Sequence, residues 1–426
     1  MTTAQIFPNE LERLDSGDEK FSDDYAIRLG FVGMLSEVDI SRKYYMLLMT
    51  KLSKFFRLAA GVDIYNNSVI KNYSNLSKLF GIIKKHRLRK SIDKGFEELF
   101  LKQIYSETNY FGIGAGETQL PQEFLENVDV IDISTPNRYH FPMLKQVLDY
   151  MPKNKECFVI VEKPIVGSKS EVESLEHIIK NNKIDSRRII GNDHYLHYGN
   201  IRHYVKNLDK FVEKLGKIND MKLLIKEKEG FDNSRNRDTI YKPLSCGGIW
   251  LDMGIHALGF LTAIGAEVDY QSDLISAWSF KSIELAIRDD NYGESGMVTK
   301  FKVRSSRNFS EDCYSTIHVE KNKDLLQTEK IFMIRHEMGS VEIDIKKRDF
   351  VVLNKNGGTI YTKGFMIDPY YSMYYDLIRT VIGKKSPYLG INNTLKSLNT
   401  VFDIYDFAEN VERNKVPFKD LELLAN

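Results

Sequence analysis

The chain has 426 residues, 42% of them hydrophobic, enough at about 150 residues per domain for two or three domains with real cores, which excludes a short peptide-like scaffold. Its 60 Lys and Arg against 59 Asp and Glu leave a formal charge of +1, so no chain-wide field draws it to nucleic acid or to an anionic membrane. The 3 cysteines, Cys157, Cys246 and Cys313, are scattered and odd in number, which gives neither a disulfide framework nor a paired-thiol metal motif and fits a reducing, cytoplasmic setting.

Residues 1–24, including Asp15-Ser16-Gly17-Asp18-Glu19-Lys20, carry charge without apolar periodicity and read as a flexible leader. This N-terminus is acidic and polar where a signal peptide is basic and then apolar, and no later run approaches the roughly 18 apolar residues that span a bilayer. Ala26 to Gly33 reads as a strand. Asp39 to Leu52, with Tyr44, Leu47, Leu48 and Leu52 on one face, reads as a helix, and Arg57 to Ile64 as a second strand with Asp63 near its end. Strand, helix, strand is the first unit of a doubly wound sheet.

The next strand is Val128 to Ser134, followed by a helix from Phe141 to Tyr150 and a strand from Cys157 to Val161. Taking Val128–Ser134 as the third strand makes the stretch from the first glycines too long by roughly forty residues, at about 30 per βαβ unit. An insertion is therefore expected at about 66–110. It holds the basic run Lys84-Lys85-His86-Arg87-Leu88-Arg89-Lys90, which reads either as a solvated helix face or as an anion-binding patch. A helix from Ser170 to Asn182 and a strand from Arg188 to Asn192 complete a dinucleotide-binding domain over 25–192.

From Asp220 onward a period of two takes over, at Met221–Lys226, Met297–Val303, Tyr314–Val319, Ile331–Arg335, Val341–Ile345 and Phe350–Leu353. This predicts a half-buried antiparallel sheet. Asn356-Gly357-Gly358 is a hairpin signal. The chain closes with helices at Tyr370–Ile382 and Asn393–Glu412, so 193–426 forms an α+β domain with an open, mainly antiparallel sheet.

A nucleotide site needs glycine after the first strand, because the backbone must turn tightly and let a pyrophosphate approach. Gly30 and Gly33 stand there. Gly112-Ile113-Gly114-Ala115-Gly116, with Asp132 about twenty residues on, is a competitor, but Pro121 and a short interval leave no room for the following helix, so it reads as a loop. Asp63 is the better ribose ligand, and a carboxylate there repels a 2′-phosphate, which favours NAD over NADP. His194-x-x-His197 beside Asp193 has a metal-like spacing, yet no cysteine lies nearby and no metal is assigned. Tyr241 and Trp250 either stack on a sugar ring or fill the core. Cys246 either borders the cleft or packs beside the Gly247-Gly248 turn.

Three segments carry a more specific signal: Ser134-Thr135-Pro136-Asn137-Arg138-Tyr139-His140, Val161-Glu162-Lys163-Pro164, and Gly247-Gly248-Ile249-Trp250-Leu251-Asp252-Met253-Gly254-Ile255-His256. In this order the chain resembles the glucose-fructose oxidoreductase and inositol dehydrogenase (Gfo/Idh/MocA) family, from about Ala26 to Phe418. The resemblance implies a Rossmann domain and a second domain whose open sheet mediates homo-oligomerisation. It also implies a cofactor, NAD or NADP, bound by Gly30, Gly33, Asp63, Thr135, Pro136, Asn137, His140, Glu162, Lys163 and Pro164, the last often after a cis bond. Lys163, Asp252 and His256 become the catalytic residues. A histidine suits proton removal from an alcohol, and a lysine ammonium stabilises the developing alkoxide.

Asn192-Asp193-His194-Tyr195-Leu196 is similar to the Asp-His-Tyr-Leu segment of glucose-6-phosphate dehydrogenases. There the Asp pairs with the catalytic His, and the His and Tyr bind the sugar phosphate. Here His197-Tyr198 stand in place of Gly-Lys, which removes a phosphate-binding charge. Asp193, His194 and Tyr195 are the implied substrate-binding residues. The expected activity is hydride transfer between nicotinamide and a hydroxyl or carbonyl carbon of a sugar, sugar phosphate or cyclitol. The alternative is a nonenzymatic dinucleotide- or sugar-binding regulator on the same fold, which the glycine-poor turn favours and the intact Lys163, Asp252 and His256 oppose.

Overall fold

The computed structural model describes residues 27–33, 43, 52, 55–63, 109–114, 116–152, 157–229, 248–268, 273–280, 294–382, 386–388 and 390–411. The expected leader, the 39–52 helix apart from Lys43 and Leu52, the basic run, nearly all of the insertion, Tyr241 and Cys246 lie outside these residues.

Six strands form the first sheet: β1 (Ile27–Val32), β2 (Phe56–Asp63), β3 (Asn109–Gly112), β4 (Val130–Ile133), β5 (Phe158–Glu162) and β6 (Ile189–Asn192). Their order is β3-β2-β1-β4-β5-β6, and every pairing is parallel. The strands read as near-continuous apolar runs because both faces are covered. The segment at 128–134 is thus the fourth strand and not the third. The short Asn-Tyr-Phe-Gly strand β3 precedes it at the sheet edge, with too few residues to show a period. Strand order reverses between β1 and β4, which opens a crevice at their carboxyl ends. Helices α1 (Gln122–Glu126), α2 (His140–Tyr150) and α3 (Lys169–Asn181) connect the strands. Ser168 caps α3 by accepting from the Glu171 amide, and the Glu171 carboxylate accepts from the Gly167 amide, a reciprocal start like a capping box.

Helices α4 (Gly199–Lys206) and α5 (Leu208–Leu215) lead to a second sheet. Its strands are β7 (Ile218–Glu227), β8 (Leu274–Phe280), β9 (Gly296–Val303), β10 (Phe309–Lys321), β11 (Glu329–His336), β12 (Gly339–Asp344), β13 (Asp349–Asn354) and β14 (Thr359–Gly364). The order is β14-β13-β12-β11-β7-β10-β9-β8. Strands β7 and β10 pair in parallel at its centre and the other pairs are antiparallel, so the sheet is mainly antiparallel, as expected. Strand β8 has no counterpart in the sequence reading. It is an edge strand in which, among the described side chains, only Ala277 is deeply buried, so its alternation is weak. The 356–358 hairpin is present, with Gly357 at φ +78° between β13 and β14.

One π-helical turn (Trp250–Gly254) runs into α6 (Ile255–Ala263), which is buried along most of its length. The closing helices α7 (Pro369–Val381) and α8 (Ile391–Val411) return to the first sheet. The Tyr374 hydroxyl of α7 donates to Asp132 on β4 at 2.9 Å. Arg202 of α4 forks onto Asp376 of α7, with Nη2 to Oδ1 at 2.7 Å. On α8, the Val401 carbonyl accepts from the Trp250 indole at 3.3 Å, and Asp403 pairs with Lys169 of α3 at 2.7 Å. Trp250 is therefore a core residue, fully buried. No described helix is long and apolar enough to cross a membrane.

Candidate active site

Gly33 ends β1 with φ +83°, and its amide donates to the Val62 carbonyl at 2.9 Å. A Cβ there would stand 2.9 Å from the Ser134 carbonyl oxygen at the end of β4, so both conformation and space demand glycine. Gly30 serves a different need. It lies inside β1, where a Cβ would collide with Val128 and the Phe124 ring of α1, so its smallness admits the α1 layer rather than a phosphate. With Gly33 as the first glycine, the G-x-G-x-x-G spacing assigns the next two to positions 35 and 38, which are Leu35 and Val38. Gly33→Ala is expected to cost about 1–2 kcal/mol of stability, read as a lowered urea midpoint.

Asp63 ends β2 and is buried. After β4, Pro136 leads into one turn of 3₁₀ helix (Asn137–Tyr139) and then α2. His140, expected at the cofactor, is fully buried, with Nδ1 2.8 Å from the Pro164 carbonyl and Nε2 2.6 Å from the Thr135 carbonyl. It braces the loop after β4 against the loop after β5. Burial holds its pKa below the ordinary value despite those two carbonyls. The Lys163–Pro164 bond is cis. Glu162, also expected at the cofactor, instead pairs with Lys43 at 2.8 Å and accepts from the Asn192 amide at 2.5 Å.

Two ion pairs define the centre. Lys163, just past β5, donates to the Asp252 carboxylate at 2.5 Å and to its backbone carbonyl at 2.7 Å. Asp193, just past β6, lies 2.5 Å from Nδ1 of His256. Because a carboxylate only accepts, the shared proton sits on Nδ1 and leaves the Nε2 lone pair as a base. Burial pushes the His256 pKa down and Asp193 pulls it up, with Lys163 pushing down again; the net shift is downward, so the ring is neutral at pH 7. Burial alone would raise the Asp252 pKa, but the Lys163 and Lys321 ammoniums outweigh it and keep the group ionised. Asp252 belongs to the π-helical turn and His256 to the first turn of α6, so one helical segment supplies partners to two strands of the first sheet.

Tyr195, expected at the substrate, is buried with its ring flat on the His256 imidazole, centroids 3.9 Å apart and planes within 1°. Its hydroxyl meets Lys330. His194 sits edge-on to His256 at 5.2 Å and stacks on Tyr370 at 5.8 Å. Asp193 and Tyr195 thus both contact His256. His197 is pushed to about 4, chiefly by burial. His197 and His256, neutral when folded, take up protons more readily when unfolded. Stability is therefore expected to fall as pH drops below about 6.5 towards 4, read as a declining melting temperature.

A ladder of charges that sequence reading missed lines the second sheet beside this centre. Glu227 pairs with Lys330 at 2.5 Å and Lys321 at 2.9 Å, and Lys321 also reaches Glu229 at 3.1 Å. Period two carries the signal: Leu223, Ile225 and Glu227 share one face, as do Ile317, Val319 and Lys321, and Lys330, Phe332 and Ile334. A charged residue extending a buried apolar face is unusual enough to notice. Glu294 was also missed. Its carboxylate accepts from the Trp250 amide at 2.8 Å and the Tyr405 hydroxyl at 2.7 Å, capping the segment that bears Asp252 and His256. A Cβ on Gly248 would strike that carboxylate. Cys157 and Cys313 are buried, and burial pushes both thiols up to about 12, so neither is a nucleophile at neutral pH.

No family model matches the sequence, and no curated protein matches it. Solved structures do match in fold. An NAD binding oxidoreductase from Klebsiella pneumoniae has a TM-score of 0.65 at 14% identity, covering 91% of this chain and 98% of that one. Levoglucosan dehydrogenase, in complex with NADH and levoglucosan, has a TM-score of 0.66 at 12% identity, covering 90% and 98%. A super-repressor mutant of Gal80p from Saccharomyces cerevisiae has a TM-score of 0.66 at 13% identity, covering 90% and 96%. The chain shares their two-domain fold, the architecture that the Gfo/Idh/MocA resemblance implies.

Proposed function

We propose that this protein is an NAD(P)-dependent oxidoreductase that moves hydride between nicotinamide and a hydroxyl-bearing or carbonyl carbon of a sugar, sugar phosphate or cyclitol. The observation that carries the reading is the meeting of Lys163–Asp252 with Asp193–His256 at the carboxyl edge of a 3-2-1-4-5-6 parallel sheet. The residues present fit a dinucleotide. Gly33 turns the chain tightly at the end of β1 with φ +83°, Asp63 stands where a ribose carboxylate belongs, and Thr135, Pro136, Asn137 and Pro164 follow the carboxyl ends of β4 and β5 beside the crevice. When bound, the nicotinamide supplies the hydride donor or acceptor.

In the oxidation direction His256 Nε2 takes the hydroxyl proton, and Asp193 steadies the imidazolium that results. Lys163 stabilises the oxygen that develops negative charge. Asp252 orients that ammonium and offers its other oxygen to substrate hydroxyls. His194 stands at the same ring and is assigned to the substrate. Asp63 favours NAD. The division of labour between residues 25–192 and 193–426 follows the two sheets. The outer face of the second sheet, with half-buried Leu224, Ile331 and Met333, is the assigned contact between copies of the chain. The setting proposed is cytoplasmic.

The test is reduced-nicotinamide absorbance with a panel of sugars, sugar phosphates and cyclitols, alongside quenching of NADH fluorescence. Turnover that disappears in His256→Ala supports the reading; neither turnover nor quenching overturns it. A second reading, a dinucleotide-binding regulator without turnover, is favoured by Leu35 and Val38 at two fingerprint glycine positions and by the Gal80p likeness. Quenching with no turnover on any member of the panel decides for it.

A further inference from the structure

A buried polar cluster lies against the first sheet, beneath the site. Lys43 is fully buried, and its ammonium meets Asp132 at 2.9 Å, Glu162 at 2.8 Å and the Ser134 hydroxyl at 2.7 Å. Three acceptors match its three N–H donors. Around it, the Ser134 hydroxyl donates to Asp132 at 2.6 Å and the Tyr374 hydroxyl to the other oxygen of Asp132 at 2.9 Å. The Asn192 amide donates to Glu162 at 2.5 Å. Taking an ammonium and a carboxylate out of water costs several kcal/mol each, so such a cluster is poor evidence of added stability.

Its placement points to another purpose. Ser134 directly precedes Thr135, Glu162 precedes Lys163, and Asn192 precedes Asp193. Three of the groups gathered by Lys43, Ser134 and Glu162 directly and Asn192 through Glu162, thus each stand immediately before a site residue, at the ends of three adjacent strands. The alternation of the strands turns Asp132 and Glu162 to the same sheet face, beneath the edge from which those neighbours project.

We propose that Lys43 is a positioning residue, whose ammonium ties the carboxyl ends of β4, β5 and β6 together so that Thr135, Lys163 and Asp193 are held at the distances the site requires. Without it Asp132, fully buried, and Glu162, half-buried, face each other as like charges, and the strand ends separate. A displacement of about 1 Å at a reacting group costs on the order of 100-fold in rate. The catalytic consequence rests on the dehydrogenase reading, but the mechanical one does not.

The test compares wild type with Lys43→Met, and with Tyr374→Phe, which keeps every charge and removes one donor to Asp132. Hydrogen exchange of peptides covering 135–140, 163–167 and 193–198 is followed against peptides of β11 to β13. For Lys43→Met, exchange in the three edge peptides is expected to rise by about tenfold with the second sheet unchanged, and kcat to fall by about 100-fold with a much smaller change in KM. Tyr374→Phe shows the same pattern weakly and supplies the answer if Lys43→Met does not fold. Wild-type exchange at the three edges, or a uniform rise across both sheets, overturns the proposal. If wild type shows no turnover, the dehydrogenase reading fails and the exchange measurement still decides the role of Lys43.

Discussion

His256→Ala is expected to lower turnover by about 100- to 10,000-fold, the range for loss of a positioned general base, with little change in NADH affinity. The pH dependence carries the sharper test. Oxidation requires the neutral ring, so kcat/KM should fall on the acid side. Burial lowers the His256 pKa more than Asp193 raises it, so the midpoint should lie below the ordinary histidine value of about 6.5. In Asp193→Asn the upward pull is lost and the acid limb should move to lower pH. The rate on the plateau should still fall, because the imidazolium then has no carboxylate at Nδ1. A limb that moves to higher pH would mean that Asp193 and His256 are not paired in solution. Tyr195→Phe keeps the ring against the imidazole and is expected to change the profile far less than Tyr195→Leu.

Lys163→Met should cost about 100- to 1,000-fold in kcat/KM, the scale for removing one preorganised electrostatic donor. It also strands a carboxylate. Asp252 loses the ammonium 2.5 Å away, its pKa rises, and some stability is lost, visible as a lower melting temperature. Asp252→Asn leaves the Lys163 charge in place but loosens its aim, so KM is expected to rise more than kcat falls. Because the two side chains touch, their effects should not add, and a double-mutant cycle should return a coupling of about 0.5–3 kcal/mol. Additive effects, or wild-type turnover in Lys163→Met, would remove this pair from the mechanism. Lys163→Arg is not a conservative control, since a planar fork cannot occupy the place of a compact ammonium.

Much of this site was legible in the linear order of residues. Glu162-Lys163-Pro164 and Asp193 are placed by the ends of short apolar strands, and the spacing of Asp252 and His256 is local helical geometry. What these groups touch was not legible in the same way. Lys163 and Asp252 are 89 residues apart, and Asp193 and His256 are 63 apart. Nothing local distinguishes a lysine that meets an aspartate across the cleft from one that ends in solvent. Glu162 and His140 illustrate the point: both stand in motifs that imply cofactor contact, and both turn inward to brace the loops. Lys43 gave no sign, because a single lysine on an amphipathic helix is ordinarily solvent-facing. Its buried partner Asp132 drew attention only as a member of a false glycine fingerprint.

The residue pattern by itself determined the architecture. A switch from alternating strands and helices to a period of two separates the parallel sheet from the second, and ordered tripeptides locate the edge where chemistry belongs. Only the tertiary structure decided the partners: the β7–β10 parallel pair, the charges beside Asp252, the ring beneath His256 and the ammonium under three strand ends. The physical reason is that periodicity records which face of an element is buried, whereas ion pairs and ring stacks depend on which distant element is docked there, at what register and at what angle.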